Sequence, residues 1–341
     1  MRLIVPMSGR GTRLRPLSHT TPKALLPVVG RPAIARTLAA LADALSRPVD
    51  EAVFVLNPAD HHTDVPDRLR AACAVAGVEA SFATQAEPLG TAHAVGSAGA
   101  ALHGEILTVW SDTLFRAERT ADLSGAPDLI AWTYEVADPR RFGVVSRDGD
   151  GRVAGLVEKP TDARFTETLI GAYYVRDGAA LRALIERMIS DGAVGAGGEY
   201  QLTDALDGLL QNGARAQTEP VAEWLDVGTV PAYLHAVSRT LDREGGAPVL
   251  DGVTVRPPVF VGEGASVASS TIGPHASIEA GAVVDGSEVS RAVVFPDAAV
   301  RRSYLDGAVV GRRAQVEGLS GSALLGDDSV VGPDVQPQAL V

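Results

Sequence analysis

Lysine and arginine together number 30 in this chain, and only two of them are lysines, Lys23 and Lys159. Both stand beside proline, in Thr21-Pro22-Lys23-Ala24 and Glu158-Lys159-Pro160. An ammonium is a compact point charge on a flexible stem, and the planar fork of arginine replaces it poorly against a single phosphate oxygen. Two lysines kept in a chain that otherwise uses arginine therefore read as two phosphate holders. A second phosphate signal lies near the start, where the apolar run 3–7 opens into Ser8-Gly9-Arg10-Gly11-Thr12-Arg13-Leu14-Arg15-Pro16. Gly9 and Gly11 permit positive φ and a close backbone approach to a ligand. Successive N–H groups in such a turn form an anion nest, to which the Arg13 guanidinium can add. Arg10 and Arg15 read as auxiliary or merely solvated cations. The segment is not a Walker A loop, because no Gly-Lys-Ser/Thr follows, and it lacks the third glycine of the dinucleotide fingerprint.

These residues need a scaffold. At 341 residues the chain exceeds one ordinary core, so two domains are expected. With 46% hydrophobic and 21% charged residues it has a globular composition. A net charge of −12 argues against a nucleic-acid or anionic-membrane surface, though a local cluster of donors still binds a small anion. No apolar run approaches the roughly 20 residues of a membrane span. The start runs into the glycine loop too soon for a signal-peptide core, so a cytoplasmic location is expected. Cys73, the sole cysteine, sits in an alanine-rich helical stretch and reads as a small core residue, not a nucleophile.

Two periodicities divide the chain. Up to about residue 243, apolar runs at 3–7, 52–56, 106–110 and 129–134 read as strands. Helical patterns fall at 33–45, 67–76, 92–102, 178–189 and 230–243. Such alternation predicts an α/β domain with a mostly parallel sheet covered on both faces, whose ligands bind beyond the carboxyl ends of the strands. Residues 244–250 read as a linker. Over 251–341 apolar residues recur every five or six positions: Val261, Val267, Ile272, Ile278, Val284, Val289, Val294, Val300, Leu305, Val310 and Val316. That step fits neither a helix nor an alternating strand, but a solenoid of triangular section. A sandwich of short strands is the alternative. A solenoid this short reads as a packing or oligomerisation module, which makes a homo-oligomer the expectation. Its single histidine, His275, reads as a surface turn residue.

The motifs then converge. The first strand, Gly-x-Gly-Thr-Arg-Leu-Arg-Pro at 9–16 and Pro22-Lys23-Ala24-Leu25-Leu26-Pro27 together resemble the sugar-1-phosphate nucleotidyltransferases, or sugar-nucleotide pyrophosphorylases. The resemblance spans the chain and is nearest to the glucose-1-phosphate thymidylyltransferases. It implies a Rossmann-like catalytic domain over 1–243 followed by a left-handed parallel β-helix. Where the family commonly has Ala-Gly-Gly, this chain has Met7-Ser8-Gly9. The resemblance implies that Ser8, Gly9, Gly11 and Thr12 bind the nucleotide phosphates. Gln85 and Pro88-Leu89-Gly90-Thr91-Ala92 match the base-reading segment, with Gln85, Pro88 and Gly90 at the nucleotide. A glutamine amide offers both a donor and an acceptor to a base edge.

Asp112, beyond an apolar strand, and Asp226, in Trp224-Leu225-Asp226-Val227-Gly228-Thr229, match the two metal acids, which implies Mg²⁺ as cofactor. Gly143, Glu158, Tyr173 and Tyr174 match the sugar side, with Lys159 on the 1-phosphate. Gly198-Glu199-Tyr200-Gln201-Leu202-Thr203-Asp204 matches a further signature, in which Glu199 and Asp204 read mainly as structural. The implied catalytic set is Arg13, Lys23 and Lys159, and the implied partners are a nucleoside triphosphate and a sugar 1-phosphate. dTTP or UTP with glucose 1-phosphate is the leading pair. A GTP-using mannose-1-phosphate enzyme and a non-catalytic regulatory subunit are the alternatives.

Overall fold

The computed structural model describes residues 1–9, 11–125 and 127–333. Arg10 and the end of the predicted solenoid, from 334 on, lie outside them. The chain divides into two compact units, Met1–Gly9 with Ile34–Trp224, and Arg10–Ala33 with Leu225–Val341.

Ten strands make one sheet: β1 (Arg2–Pro6), β2 (Glu51–Leu56), β3 (Glu79–Thr84), β4 (Ile106–Val109), β5 (Thr113–Ala117), β6 (Leu129–Glu135), β7 (Gly143–Arg147), β8 (Val153–Glu158), β9 (Glu167–Val175) and β10 (Ala216–Asp226). Their order is β3-β2-β1-β4-β9-β6-β10-β5, with β7 against β8 and β9. β1 runs parallel to β2 and β4, β2 to β3, and β10 to β6. β9 is inserted antiparallel between β4 and β6. Leu3, Ile4 and Val5 are fully buried, as a strand covered on both faces requires.

The helices are α1 (Ala33–Ala44), α2 (Val65–Val75), α3 (Thr91–Gly96), α4 (Gly178–Ser190), α5 (Leu202–Gln211) and α6 (Val230–Glu244). One sheet face packs Ile4, Val53, Val55, Ile106, Ala131 and Tyr173 against α3, α4 and α5. Asp177 caps α4, accepting from the N–H groups of Ala179 and Ala180 at 3.0 and 3.1 Å. Cys73 is buried, as expected, and burial pushes its thiol up to about 11. Among the described residues no helix is long and apolar enough to cross a membrane.

Two expectations change here. The helix predicted over 92–102 ends at Gly96, and a separate short turn follows because Gly99 takes φ 56. Helix α5 was not predicted. Gln201 at its start gives no side-chain cap, and the first N–H, of Leu202, is satisfied by Thr91 Oγ1 at 2.8 Å, 111 positions away. A cap supplied from so far leaves no local signal.

In the second unit, three five-stranded parallel ladders stack as a β-helix. The apolar positions read from the sequence fall in register: Val261↔Ile278↔Val294↔Val310 on one ladder and Val267↔Val284↔Val300↔Val316 on another. They fill the interior together with a set of buried alanines, Ala276, Ala282, Ala292, Ala298, Ala308 and Ala314. On the outside of one face, Ser277, Glu279, Val293, Phe295 and Val309 are also buried. The Tyr233 ring of α6 meets Phe295 edge-on at 6.3 Å. His275 Nε2 bonds Asp242 Oδ1 of α6 at 2.7 Å, so this histidine ties the helix to a coil.

Candidate active site

In the first unit the carboxyl ends of β1 and β3 bring Ser8 and Gln85 together. Met7 N–H donates to Val55 O at 3.0 Å and Gln85 N–H to Leu56 O at 2.8 Å, which sets the level of both residues. The Ser8 hydroxyl donates to Gln85 Oε1 in a short hydrogen bond. Gln85 Nε2 faces Gly90 O at 3.3 Å and His93 Nδ1 at 2.8 Å. A carbonyl oxygen only accepts, so the amide nitrogen stands on that side and His93 Nδ1 accepts as well. Gln85 is thus a buried tie between the loop after β1 and the start of α3, with both amide hydrogens engaged. The sequence reading gave it a free donor and acceptor. In the structure only acceptor capacity on Oε1 is left.

Gly90 also differs from expectation. At φ 125 its missing side chain makes room for the Tyr200 backbone rather than a ligand. Tyr200 N–H donates to Leu89 O at 2.9 Å and Ala92 N–H to Tyr200 O at 2.8 Å. Pro88 is exposed on the same segment. Of the two glycines expected to take positive φ, Gly11 does, whereas Gly9 is exposed and does not.

The second unit carries the rest of the loop. Gly11, at φ 54, caps the short turn Thr12–Leu14, with Leu14 N–H donating to Gly11 O at 2.9 Å. Ser18 Oγ donates to the same carbonyl at 2.7 Å. The Lys23 stem lies against Gly11, its Cγ 3.3 Å from where a Cβ would stand. The glycine loop and the first lysine, twelve positions apart, are therefore one surface. Thr12 and Arg13 are exposed on it. Asp226 is exposed at the end of β10, and its Oδ1 accepts from Gly228 N–H at 2.7 Å, which orients the carboxylate.

Back in the first unit, β4 ends in the turn Trp110-Ser111-Asp112, closed by Thr113 N–H to Trp110 O at 3.1 Å. Asp112 is half-buried. Trp110 is pinned to β9 by its N–H to Gly171 O at 3.0 Å, and Gly171 at φ 81 leaves space that the indole fills. Of the residues expected at the sugar, Gly143 pairs with Glu158 across β7 and β8. A Cβ on Gly143 would stand 3.1 Å from both Glu158 Oε2 and Thr203 Oγ1, and Thr203 donates to that oxygen at 2.7 Å.

Lys159 follows in the left-handed region at φ 47, rare for a residue with a side chain. Its N–H is held by Phe142 O at 2.9 Å, and its Nζ lies 3.8 Å from Glu158 Oε1. Tyr173 is in the core beside Trp110, with its pKa raised by burial first and by the Glu158 carboxylate second. Tyr174 points to the opposite sheet face, as neighbours on a strand must. It is fully buried, and its hydroxyl donates to Glu105 Oε1 at 2.6 Å. Burial leads in pushing that phenol up to about 12. Tyr174 is therefore a core residue, a correction to its place on the sugar side.

Sequence reasoning missed His93, Thr203 and the backbone role of Tyr200. Thr203 and Tyr200 lie in the 198–204 signature, where the acids drew attention instead. In that signature Asp204 has its pKa raised, by burial first and then by the charges of Glu158 and Asp207.

A sequence profile of the nucleotidyl transferase family matches residues 4–243. Glucose-1-phosphate thymidylyltransferase of Streptomyces antibioticus is 30% identical over 353 aligned residues, covering 93% of each chain. The protein of the same name from Streptomyces griseus is 29% identical with the same coverage. Among solved structures, a UDP-glucose pyrophosphorylase complexed with UDP-glucose is similar in fold, with a TM-score of 0.58 at 19% identity over 71% of this chain and 99% of that one. The chain accordingly belongs to the nucleotidyl transferase family, as a sugar-1-phosphate nucleotidyltransferase.

Proposed function

We propose that this enzyme joins dTTP or UTP to glucose 1-phosphate and releases pyrophosphate, by in-line attack of a sugar-phosphate oxygen on the α-phosphorus. That oxygen is already anionic near neutral pH, so the protein needs no nucleophile of its own, and its task is positioning and charge neutralisation. Lys159 holds the attacking phosphate. Arg13, Lys23 and the N–H groups around Ser8, Gly9, Gly11 and Thr12 hold the departing β- and γ-phosphates. Glu158 and Gly143 line the sugar, backed by Tyr173 of the core, with Thr203 orienting the Glu158 carboxylate. Gln85 and the Pro88–Gly90 segment face the base, where Gln85 Oε1 keeps the capacity to accept from a base N–H.

Asp112 and Asp226 are the acids that would hold Mg²⁺. Both offer hard carboxylate oxygens at strand ends, and the Gly228 N–H bond fixes one of the carboxylates, as a ligand site for this cation needs. When bound, Mg²⁺ supplies charge neutralisation at the α-phosphate.

The observation that supports this reading is the Lys23 stem packed on Gly11, which sets the first lysine against the glycine loop. The names of the two Streptomyces relatives support the choice of substrates. A matrix of the common triphosphates against sugar 1-phosphates, followed by pyrophosphate release, tests it. Highest kcat/KM is expected for dTTP or UTP with glucose 1-phosphate, and preference for GTP with mannose 1-phosphate would replace that pair. Lys159→Ala and Asp226→Ala, each folded, are expected to lower turnover on the order of 10²- to 10³-fold. Near-normal turnover in either would remove that residue from the scheme.

A further inference from the structure

The segment from Arg10 to Ala33 carries Gly11, Arg13 and Lys23, yet it holds little regular structure: three short turns and a two-stranded ladder of Pro27–Val28 with Arg31–Pro32. A segment with so little regular structure keeps its place through what it is tied to as well as through its own turns. Within the second unit it is tied to the β-helix on both sides of Lys23. Upstream, Thr20 Oγ1 and Thr21 Oγ1 both donate to Asp327 Oδ2, at 2.7 and 3.2 Å. The other oxygen of Asp327 accepts from Arg312 N–H at 2.8 Å, which locks the carboxylate to its own coil. Gly326, the residue before, packs on Pro16, whose Cβ lies 3.2 Å from where a side chain would begin. Downstream, Gly30 N–H donates to Glu279 Oε2 at 3.1 Å, while Ser277 Oγ holds Glu279 Oε1 at 2.7 Å. Tyr233 donates its hydroxyl to Pro27 O.

We propose that Asp327 and Glu279 of the β-helix are positioning residues for the triphosphate, acting through the Lys23 segment that they anchor. Thr21 is buried and only two residues before Lys23, so the distance over which the anchor acts is one proline. The solenoid thus serves the reaction as well as packing. This rests on the assignment of Lys23 to the departing phosphates.

The test uses the full chain and steady-state kinetics for both substrates, beside Lys23→Ala. Asp327→Ala is expected to raise KM for the triphosphate about tenfold, the loss of one charge-assisted anchor, with KM for the sugar phosphate unchanged. Asp327→Asn is expected to restore it. Its oxygen keeps the Arg312 N–H, and its amide can donate to the Thr20 hydroxyl, which accepts as readily as it donates. Should Asp327→Ala not fold, Thr20→Val with Thr21→Val removes the same bonds while keeping shape, with the same expected KM change.

A triphosphate KM within twofold of the parent in these variants, while Lys23→Ala is impaired, overturns the inference and leaves the Lys23 assignment standing. A fall in melting temperature with both KM values unmoved also overturns it, since the anchor would then be structural only. A fully active Lys23→Ala removes the assignment itself and the inference with it.

Discussion

Lys159 shows how much a single residue can reveal. A lysine in the left-handed region gives up backbone preference, at a cost of about 1–3 kcal/mol, and such conformations persist where the surroundings over-determine them. Here the Phe142 carbonyl, accepting from the Lys159 N–H, helps to hold it. The other lysine lends itself to a sharper chemical test. Lys23 packs its stem on Gly11, so a longer, planar head has to displace either the loop or the ligand. Lys23→Arg keeps the charge and is nevertheless expected to lose at least tenfold in kcat/KM, measured by pyrophosphate release. Full activity would return the scarcity of lysine to chance.

Asp204 permits a prediction of another kind at this scale. Its folded pKa lies above the ordinary aspartate value because of burial first and its acidic neighbours second. In acid, where the carboxyl is protonated folded or unfolded, it carries no penalty. As pH rises through the folded pKa, ionisation costs more in the folded state, so native stability falls. Asp204→Asn is therefore expected to melt higher than the parent at pH 7, with the gap closing toward about pH 4. A gap that is constant with pH would show that the charge is not the cause.

At the level of elements, glycines and borrowed caps decide the geometry. Gly90 is required by the Tyr200 backbone, which in turn seats α5 through Thr91 and Gln201. Gly90→Ala adds a Cβ where φ is 125 and the Tyr200 main chain already stands. A loss of at least about 2 kcal/mol of stability is expected in denaturant unfolding, because neither backbone can yield cheaply. Loss of less than about 0.5 kcal/mol would mean the segment relaxes. The strands were more legible than this contact. The run at 52–56 lies inside Glu51–Leu56 and the run at 129–134 inside Leu129–Glu135, because continuous burial on both faces demands continuous apolar residues. The half-exposed β3 and the long β10, with their mixed patterns, gave no such run. The antiparallel insertion of β9 has no local signature, since direction is a property of the partner strand.

For the whole molecule, the β-helix is the part whose rule repeats. Each coil returns an apolar residue to the same place, so the step of five or six positions in the sequence became the register of two of the ladders residue for residue. What that repeat did not disclose is the buried outer face, where Glu279 and Phe295 meet residues of the same unit from far up the chain. Residues 10–33 belong to the same compact unit as the coils, so the unit that carries Lys23 is discontinuous in sequence.

Periodicity determined the α/β architecture and the solenoid, and the motifs carried the resemblance to the family and, through it, the residues expected to hold phosphate, metal and sugar. These follow from what each stretch must bury and which charges it keeps, both local properties of the chain. Only the tertiary structure decided that Gln85 is engaged by Ser8 and His93, that Tyr174 belongs to the core, that Gly90 serves Tyr200, and that Asp327 reaches Thr20 across 307 positions. Each of those depends on a partner brought close by folding. Hydrogen bonds and van der Waals contacts act over a few ångströms of space, whatever the separation along the chain.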